Sequence, residues 1–387
     1  MVKVADRLSH VEEYYFSKKL EQIAKMRANG IDVINLGIGS PDLSPPDIAI
    51  NAAALSLKQS NVHGYSSYRS SPDLRESISI WLKKTYQISA NPDCEILPLL
   101  GSKEGILYLS MALLNPGDSV LIPNPGYPAY ASVANLLGVK ILYYNLTEEN
   151  NWQPDLKQIE ALDLSKCKLM WVNYPHMPSG ASATSELFTS LVEFAQKKSM
   201  MICNDNPYGL VLNTEAPTSL ISANPKMDVV CELNSFSKSF NMAGWRVGFF
   251  TGSQELVNAV ISVKSNVDSG MFLPIQKGAI AALSIDETWH EERNAVYKER
   301  RKIIWEIFDL LGCSYQKNQV GLFIWAKAPN KISNVQEFID DLLVKSHVFL
   351  TPGSIFGSNG NRYLRASLCS PRESLLKAKN KIEEYLK

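Results

Sequence analysis

Short apolar runs of strand-like composition alternate along this chain with amphipathic segments. "CKLMWVNYP", "MICNDNP" and "VVCELNS" are such runs, and "SELFTSLVEFAQKKS", between the first two, has helical periodicity. Apolar runs of this length predict buried strands, and their alternation with helices predicts a largely parallel sheet covered on both faces. Functional side chains should then gather at the carboxyl edge of that sheet.

Length and composition narrow the class of protein. A chain of 387 residues exceeds what one hydrophobic core usually serves, so we expect a large and a smaller domain. The 39 basic and 39 acidic residues leave no net charge to attract nucleic acid or an anionic membrane. No apolar run approaches the roughly 20 residues that span a bilayer, and no signal-peptide core is evident, so we expect a cytoplasmic protein. The six scattered cysteines predict buried free thiols and no metal site.

Two helices are predicted in the last third of the chain. "DETWHEERNAVYKERRKIIWEIFDLLG" predicts one long helix that ends at Gly312 and leads into the second domain. In "SPRESLLKAKNKIEEYLK", Ser370 as N-cap, Pro371 at the first helical position and Glu373 predict a capping box.

The glycine clusters predict an anion site rather than a nucleotide fold. "LGIGSPD" and "GSKEG" lack the spacing of the dinucleotide-binding and P-loop motifs. Gly101, Ser102 and Lys103, however, follow a strand-like run and open an amphipathic helix. The amide groups at such a helix start favour a phosphate, although many helix starts are merely capped.

Lys238 is the residue that best indicates chemistry. It lies in "SFSKSFNMAGWRVGF", directly after the predicted strand "VVCELNS", at the same edge as that helix start. Among apolar neighbours a lysine loses its preference for the charged form, and a neutral amine attacks carbonyl groups. Pyridoxal 5′-phosphate is the cofactor that needs a lysine, a phosphate site and an acidic partner. The alternative is a surface lysine whose stem covers apolar groups.

The chain resembles the class I and II aminotransferases of fold type I. Six motifs occur in the order of that family: "GYSSYRSSPDLRESI", "NPGYPAY", "NYPHMPSG", "NDNPYG", "SFSKSFNMAGWRVGF" and "RYLRASL". "LGIGSPD" and "LLGSKEG" are most similar to the subgroup that includes LL-diaminopimelate and alanine aminotransferases. The resemblance covers nearly the whole chain and implies pyridoxal 5′-phosphate as cofactor, with transfer of an amino group from an L-amino acid to a 2-oxo acid.

The resemblance also implies the architecture. It is an α/β fold in which a large domain, residues 46–287, has a mostly parallel sheet covered by helices and binds the cofactor. A smaller α+β domain then comprises residues 1–45 plus 288–387.

At the cofactor, the resemblance assigns a role to each matching residue. Lys238 would hold the cofactor as an internal aldimine and move the substrate proton. Asp205 would pair with the pyridinium nitrogen, Tyr208 would donate to the phenolate oxygen, and Tyr127 would stack on the ring. The phosphate would be held by Ser102, Lys103, Ser235 and Arg246.

At the substrate, the resemblance implies three further residues. Arg365 would bind the α-carboxylate, and Gly39 would let the backbone approach that carboxylate. Tyr65 would reach the cofactor phosphate of a partner chain, which implies a homodimer. Ser70 stands where the family usually has glycine.

Met177 is the main departure from the family pattern. It occupies the place of the asparagine in the family's Asn-Pro-Thr-Gly motif, and a thioether cannot donate a hydrogen bond. Met177 therefore bears on the rate or the type of reaction rather than on the cofactor. Two alternatives stay open: a β-eliminating C–S lyase of the same fold, and a non-catalytic sensor that binds the same cofactor.

The substrate side chain is only weakly indicated. The loop "KSNVDSGMFLPIQ" contributes to the side-chain pocket in the family, and its only cation is Lys264. Its residues Met271, Phe272 and Leu273 favour an apolar lining, although they fit an ordinary core equally well.

Overall fold

The computed structural model describes residues 2–10 and 15–387. Its main sheet has seven strands in the order β2-β8-β7-β6-β5-β3-β4. Strand β8 is antiparallel to both of its neighbours, β2 and β7, and the other pairs are parallel. The strands are β2 (Ile96–Leu99), β3 (Ser119–Asn124), β4 (Lys140–Asn145), β5 (Cys167–Val172), β6 (Met201–Asn206), β7 (Val230–Ser235) and β8 (Gly248–Thr251).

Two smaller sheets are built by the ends of the chain. A two-stranded parallel sheet pairs β1 (Ile34–Asn35) with β11 (Val348–Phe349), so the N-terminal segment is held by the C-terminal third. An antiparallel sheet has the order β12-β13-β10-β9. Its strands are β9 (Ser314–Tyr315), β10 (Phe323–Lys327), β12 (Thr351–Pro352) and β13 (Tyr363–Ser367).

Fourteen α-helices lie in the described parts of the chain. They are α1 (Tyr15–Ala28), α2 (Asp47–Ser56), α3 (Pro72–Tyr86), α4 (Ser102–Leu113), α5 (Pro128–Leu137), α6 (Leu156–Glu160), α7 (Ser185–Lys198), α8 (Leu220–Ala223), α9 (Phe236–Ser239), α10 (Gln254–Lys264), α11 (Leu273–Leu283), α12 (Glu287–Leu310), α13 (Val335–Ser346) and α14 (Arg372–Tyr385). Short 3-10 helices span Asp6–His10, Ser60–Val62, Ala243–Trp245, Gly353–Phe356 and Ser358–Gly360. Of the helices in residues 2–10 and 15–387, none combines the length and apolarity that crossing a bilayer demands.

The two faces of the main sheet are buried in different hydrophobic clusters. Along β5, Leu169 and Trp171 pack into one cluster, while Met170 and Val172 pack into the other. Alternate residues of a strand point to opposite faces, so both faces of this sheet are covered. This confirms the predicted α/β fold with a mostly parallel sheet between layers of helices.

The predicted helices near the C-terminus have different outcomes. The long helix is confirmed: α12 ends at Leu310, and Gly312 follows with φ +71°. The capping box is wrong, because α14 begins at Arg372 and its N-cap, Pro371, makes no side-chain hydrogen bond. The Ser370 hydroxyl instead donates to the Asn35 carbonyl oxygen of β1, at 3.4 Å.

Candidate active site

A cleft of about 660 Å³ lies where β5, β6 and β7 of the main sheet end, as the sheet topology predicted. Eleven of the twelve residues to which the sequence assigned a role line it. Tyr65 is the exception: it is 93% exposed in the single chain. The lining comprises Phe16, Ser17, Leu20, Ile38, Gly39, Ser40, Ser102, Lys103, Tyr127, Asn173, Met177, Asp205, Pro207, Tyr208, Ser235, Ser237, Lys238, Ala243, Arg246, Phe323, Phe356 and Arg365.

One end of the cleft is an anion site. Gly101 has φ +92°, and α4 starts immediately after it without a side-chain cap on its first amide groups. This φ strains any residue that carries a Cβ, and a Cβ on Gly101 would also lie 2.1 Å from Nη2 of Arg246, so the position favours glycine. Burial lowers the pKa of Lys103, and the positive charge of the adjacent Arg246 lowers it further. The helix start and the guanidinium together suit a phosphate.

The segment after β7 places Lys238 beside this anion site. Ser235 ends the strand and caps α9, its hydroxyl accepting from the Ser237 amide at 3.2 Å. Nζ of Lys238 donates to the carbonyl oxygen of Gly39 at 2.6 Å. Burial lowers the pKa of Lys238, and the nearby Arg365 and Arg246 lower it further, while Cys369 acts in the opposite direction. The amine therefore becomes a neutral nucleophile more readily than a lysine in water.

Arg293, which sequence reasoning missed, holds the short helix that carries Lys238. It extends from α12, is buried, and donates to the carbonyl oxygens of Ser239 and Leu210. Cationic groups at the C-terminal end of a helix satisfy its unpaired carbonyl groups. The connector helix α12 thus fixes the position of α9. Only its place in the fold reveals this role, since Arg293 belongs to no motif.

Asp205 presents one buried oxygen to the cleft. Its Oδ2 accepts from the Tyr130 hydroxyl at 2.9 Å, and the Tyr130 ring stacks on Trp171 with the ring centroids 5.1 Å apart. Its Oδ1 is buried and has no hydrogen-bond partner. Burial raises the pKa of Asp205 to about 7, although the hydrogen bond from Tyr130 acts in the opposite direction. Such a carboxyl group is suited to pair with a protonated nitrogen.

Two aromatic residues and one amide complete the middle of the cleft. Tyr127 is half-buried at the N-terminus of α5, and the ring of Tyr208 packs edge-on against Phe323 at 6.0 Å between centroids. Asn173, absent from the sequence prediction, donates to the carbonyl oxygen of Asp205 and accepts from the Met177 amide. Its position directly after the predicted strand β5 could have identified it, because side chains at that edge of the sheet were expected to be functional.

Arg365 is buried between aromatic rings at the other end of the cleft. Its guanidinium carbon lies 3.7 Å from the ring centroid of Phe323, 4.5 Å from that of Phe356 and 5.6 Å from that of Phe16. Its Nη2 donates to the Gly37 carbonyl oxygen at 2.9 Å, and its Nη1 contacts Sδ of Met177 at 3.2 Å. The methionine that departs from the family motif thus accepts from Arg365.

Gly39 is required by packing in this structure. A Cβ at this position would lie 2.1 Å from Cζ of Phe323, so any larger residue would displace that ring. The carbonyl oxygen of Gly39 meanwhile holds Lys238. The ring of Phe323 thus explains why glycine occupies this position, which the sequence alone did not show.

The loop expected to line the side-chain pocket lies elsewhere in the single chain. Met271 is buried in the core, Phe272 is partly exposed, and neither lines the cleft. Lys264 is buried and binds Asp268 through both carboxylate oxygens, at 2.8 and 2.7 Å. Its ammonium group is therefore part of an internal ion pair.

Known proteins resemble this chain over almost its full length. The family model described as aminotransferase class I and II matches residues 31–382. An LL-diaminopimelate aminotransferase of Aquifex aeolicus is 37% identical over 99% of both chains. Transaminase BacF of Bacillus subtilis is 36% identical, over 98% of this chain and 96% of BacF. The solved structure of substrate-bound BacF has a TM-score of 0.95 at 35% identity, and the match covers 100% of this chain and 98% of BacF.

These matches extend over almost the full length of the chain, and every protein named in them is an aminotransferase or transaminase. They confirm the predicted aminotransferase activity and the predicted cofactor, pyridoxal 5′-phosphate. They give no support to a C–S lyase or a non-catalytic sensor. The chain therefore belongs to the class I and II aminotransferases.

Proposed function

We propose that the cleft carries out transamination with Lys238 as its central residue. The observation that carries this proposal is that the Lys238 amine, whose pKa is lowered, lines the same cleft as the anion site and Asp205, whose buried Oδ1 has no hydrogen-bond partner. When bound, pyridoxal 5′-phosphate supplies an electron sink that stabilises negative charge at the α-carbon of an amino acid.

The residues of the cleft fit this cofactor. The start of α4 with Ser102 and Lys103, together with Ser235 and Arg246, would hold its phosphate. The buried Oδ1 of Asp205 would accept from the ring nitrogen and keep it protonated.

The remaining roles concern proton transfer and substrate orientation. The neutral amine of Lys238 would take the proton from the α-carbon of the substrate and return it after the electrons have moved. Tyr208 would donate to the phenolate oxygen, and Tyr127 would cover one face of the ring. Arg365 would bind the α-carboxylate through its planar guanidinium group, with Gly39 and Met177 beside it.

The assembly and the domain division belong to the same proposal. We place the large domain at residues 46–287 and the small domain at 1–45 plus 288–387. Two observations support this division: β1 pairs with β11, and the four-stranded sheet contains only strands that follow Gly312. We also propose a homodimer in which Tyr65 reaches the partner's phosphate. The cytoplasmic location stays a prediction.

Relatives indicate candidate substrates without deciding between them. LL-diaminopimelate appears in the names of several relatives, so it is one candidate amino donor. A 2-oxo acid is the acceptor that the class of reaction requires.

The replacement Lys238→Ala tests the central role. It removes both the nucleophile and the proton carrier, so we expect turnover to fall by several orders of magnitude. The visible absorbance of the cofactor-loaded protein should change as well, because the bond to the lysine is lost. Lys302→Ala, on the exposed face of α12, is a matched control and should leave both properties unchanged. Near-normal turnover in Lys238→Ala would falsify the assignment.

A further inference from the structure

One wall of the cleft is apolar and is built from distant parts of the chain. Helix α1 contributes two of the wall's six residues. The segment after β1, the segment after β5, strand β10 and the 3-10 helix Gly353–Phe356 contribute one residue each. We call this the apolar wall; it consists of Phe16, Leu20, Ile38, Met177, Phe323 and Phe356.

The apolar wall adjoins the place where a substrate would be anchored. The rings of Phe323 and Phe356 lie 3.7 and 4.5 Å from the guanidinium carbon of Arg365. A carboxylate bound to Arg365 therefore brings the rest of the amino acid against these rings. Met177 continues the wall beside Arg365, and its thioether packs well on aromatic groups but cannot donate a hydrogen bond.

The charges of the cleft are already in use. Within the described chain, the charged residues that line it are Lys103, Asp205, Lys238, Arg246 and Arg365. Lys103 and Arg246 lie at the phosphate end, Asp205 and Lys238 face the cofactor position, and Arg365 takes the α-carboxylate. A second charged group on a substrate would thus meet the apolar wall without a partner among the residues that this chain contributes to the cleft, and burying an unpaired charge is strongly unfavourable.

We infer that this cleft selects L-amino acids whose side chains are uncharged and apolar, above all aromatic ones. The inference rests on the proposed function and names the substrate class of the same site. It separates this chain from relatives named for LL-diaminopimelate, a substrate that carries a second amino and a second carboxylate group. An apolar or aromatic substrate side chain gains affinity from contact with the phenylalanine rings of the wall. The second charged groups of diaminopimelate find no oppositely charged residue there.

The first experiment measures binding to the cofactor-loaded protein by titration calorimetry. It uses two carboxylates without an amino group, 3-phenylpropanoate and pimelate, because neither can react. We expect 3-phenylpropanoate to bind at least about tenfold more tightly, which is the effect of one well-placed apolar group. Equal or tighter binding of pimelate would overturn the inference.

Turnover separates the inference from the proposed function. L-phenylalanine, L-leucine and LL-diaminopimelate are compared as amino donors to one 2-oxo acid by kcat/KM. Preference for the two apolar donors supports the inference, and preference for LL-diaminopimelate overturns it while transamination stands. If no donor reacts but 3-phenylpropanoate is still preferred in binding, transamination fails and the apolar selectivity of the cleft stands.

A charged residue placed on the wall gives a matched test. Leu20→Arg adds a cation at the mouth of the cleft, and Ala28→Arg adds the same charge to the exposed end of α1, about 12 Å further along the helix. We expect Leu20→Arg to strengthen pimelate binding severalfold and Ala28→Arg to leave it unchanged. An equal change in pimelate affinity in the two variants would show that the wall does not set selectivity.

Discussion

The carboxyl group of Asp205 favours its neutral form until a cation is placed beside it. Burial raises its pKa from 3.8 to about 7 in the folded protein without cofactor. Between these two values the folded protein holds a proton that the unfolded chain has released. The stability contributed by this group is therefore present below about pH 4 and is lost as the pH rises through about 7.

The replacement Asp205→Asn removes this titration. Since one unit of pKa corresponds to about 1.36 kcal/mol, the free energy of unfolding should fall by about 2 to 3 kcal/mol more in the wild type than in the variant between about pH 5 and about pH 8. Urea unfolding of both cofactor-free proteins at the two pH values measures the difference. Comparison with the variant cancels other buried groups such as Glu232 and His176. Parallel pH profiles would contradict the raised pKa.

Sequence motifs located Asp205 but not the surroundings that govern its charge. The motif "NDNPYG" identifies the residue, because its neighbours in the chain belong to the same strand end. Tyr130 comes from α5 and bonds to Asp205 only in the folded protein, where its ring also stacks on Trp171 of β5. The local sequence therefore predicts which residue acts, while tertiary packing decides its pKa.

At the scale of elements, the turn before α3 carries a strained residue. Ser70 has φ +61°, a region that suits glycine, and it stands where the family usually has glycine. It is buried, and its hydroxyl has no hydrogen-bond partner. The structure thus gives a physical reason for glycine at this position.

We expect Ser70→Gly to raise the free energy of unfolding by about 1 to 2 kcal/mol. Relief of backbone strain and removal of a buried unpaired hydroxyl both contribute, and the greater freedom of glycine in the unfolded chain partly offsets them. Gln87→Gly at the end of α3 is the matched control, since Gln87 has φ +60° but an exposed side chain. Its gain should be smaller in the same denaturation experiment. A loss of stability in Ser70→Gly would contradict the account of strain.

The elements themselves were predicted more reliably than their ends. The prediction of helix α12 rested on one continuous segment that ends at Gly312, and in the structure the Asp286 side chain caps its start, so its signals are local. The predicted start of α14 was wrong because the Ser370 hydroxyl, expected to cap the helix, bonds instead to β1, which is more than three hundred residues away in the chain. The local sequence predicts that a serine can cap a helix, but it does not show whether a carbonyl group from a distant part of the chain competes for the same hydroxyl.

At the scale of the whole molecule, the residues expected at the cofactor were predictable, whereas the aromatic residues of the apolar wall were not. Asp205 lies at the end of β6, Lys238 follows β7, and Arg246 lies just before β8, whose first residue pairs with the last residue of β7, so the sheet topology brings them together. Phe16, Phe323 and Phe356 belong to a helix, a strand and a 3-10 helix outside the main sheet. Ordinary apolar residues of this kind carry no local signal of function.

An exposed apolar surface near Tyr65 supports the proposed homodimer. The segment of Tyr65 packs against the loop before α11, where the Ser66 hydroxyl donates to the Met271 carbonyl oxygen and His63 contacts the ring of Phe272. Tyr65, Phe272 and the neighbouring Val267 all expose apolar groups. Exposed apolar side chains grouped in this way are typical of surfaces that bind another protein.

Mixed dimers of Tyr65→Phe chains with Lys238→Ala chains test the proposed assembly. If Tyr65 acts across the interface, one site of each mixed dimer combines an intact Lys238 with an intact Tyr65, and the other site has neither. Isolated through two different affinity tags, the mixed dimer should then show about half the turnover of a wild-type dimer, because a twofold-symmetric dimer has two equivalent sites. If Tyr65 instead acts within its own chain, the only site with Lys238 lacks the tyrosine hydroxyl. The mixed dimer would then be no more active than half of a Tyr65→Phe homodimer, and that result would rule out the shared site.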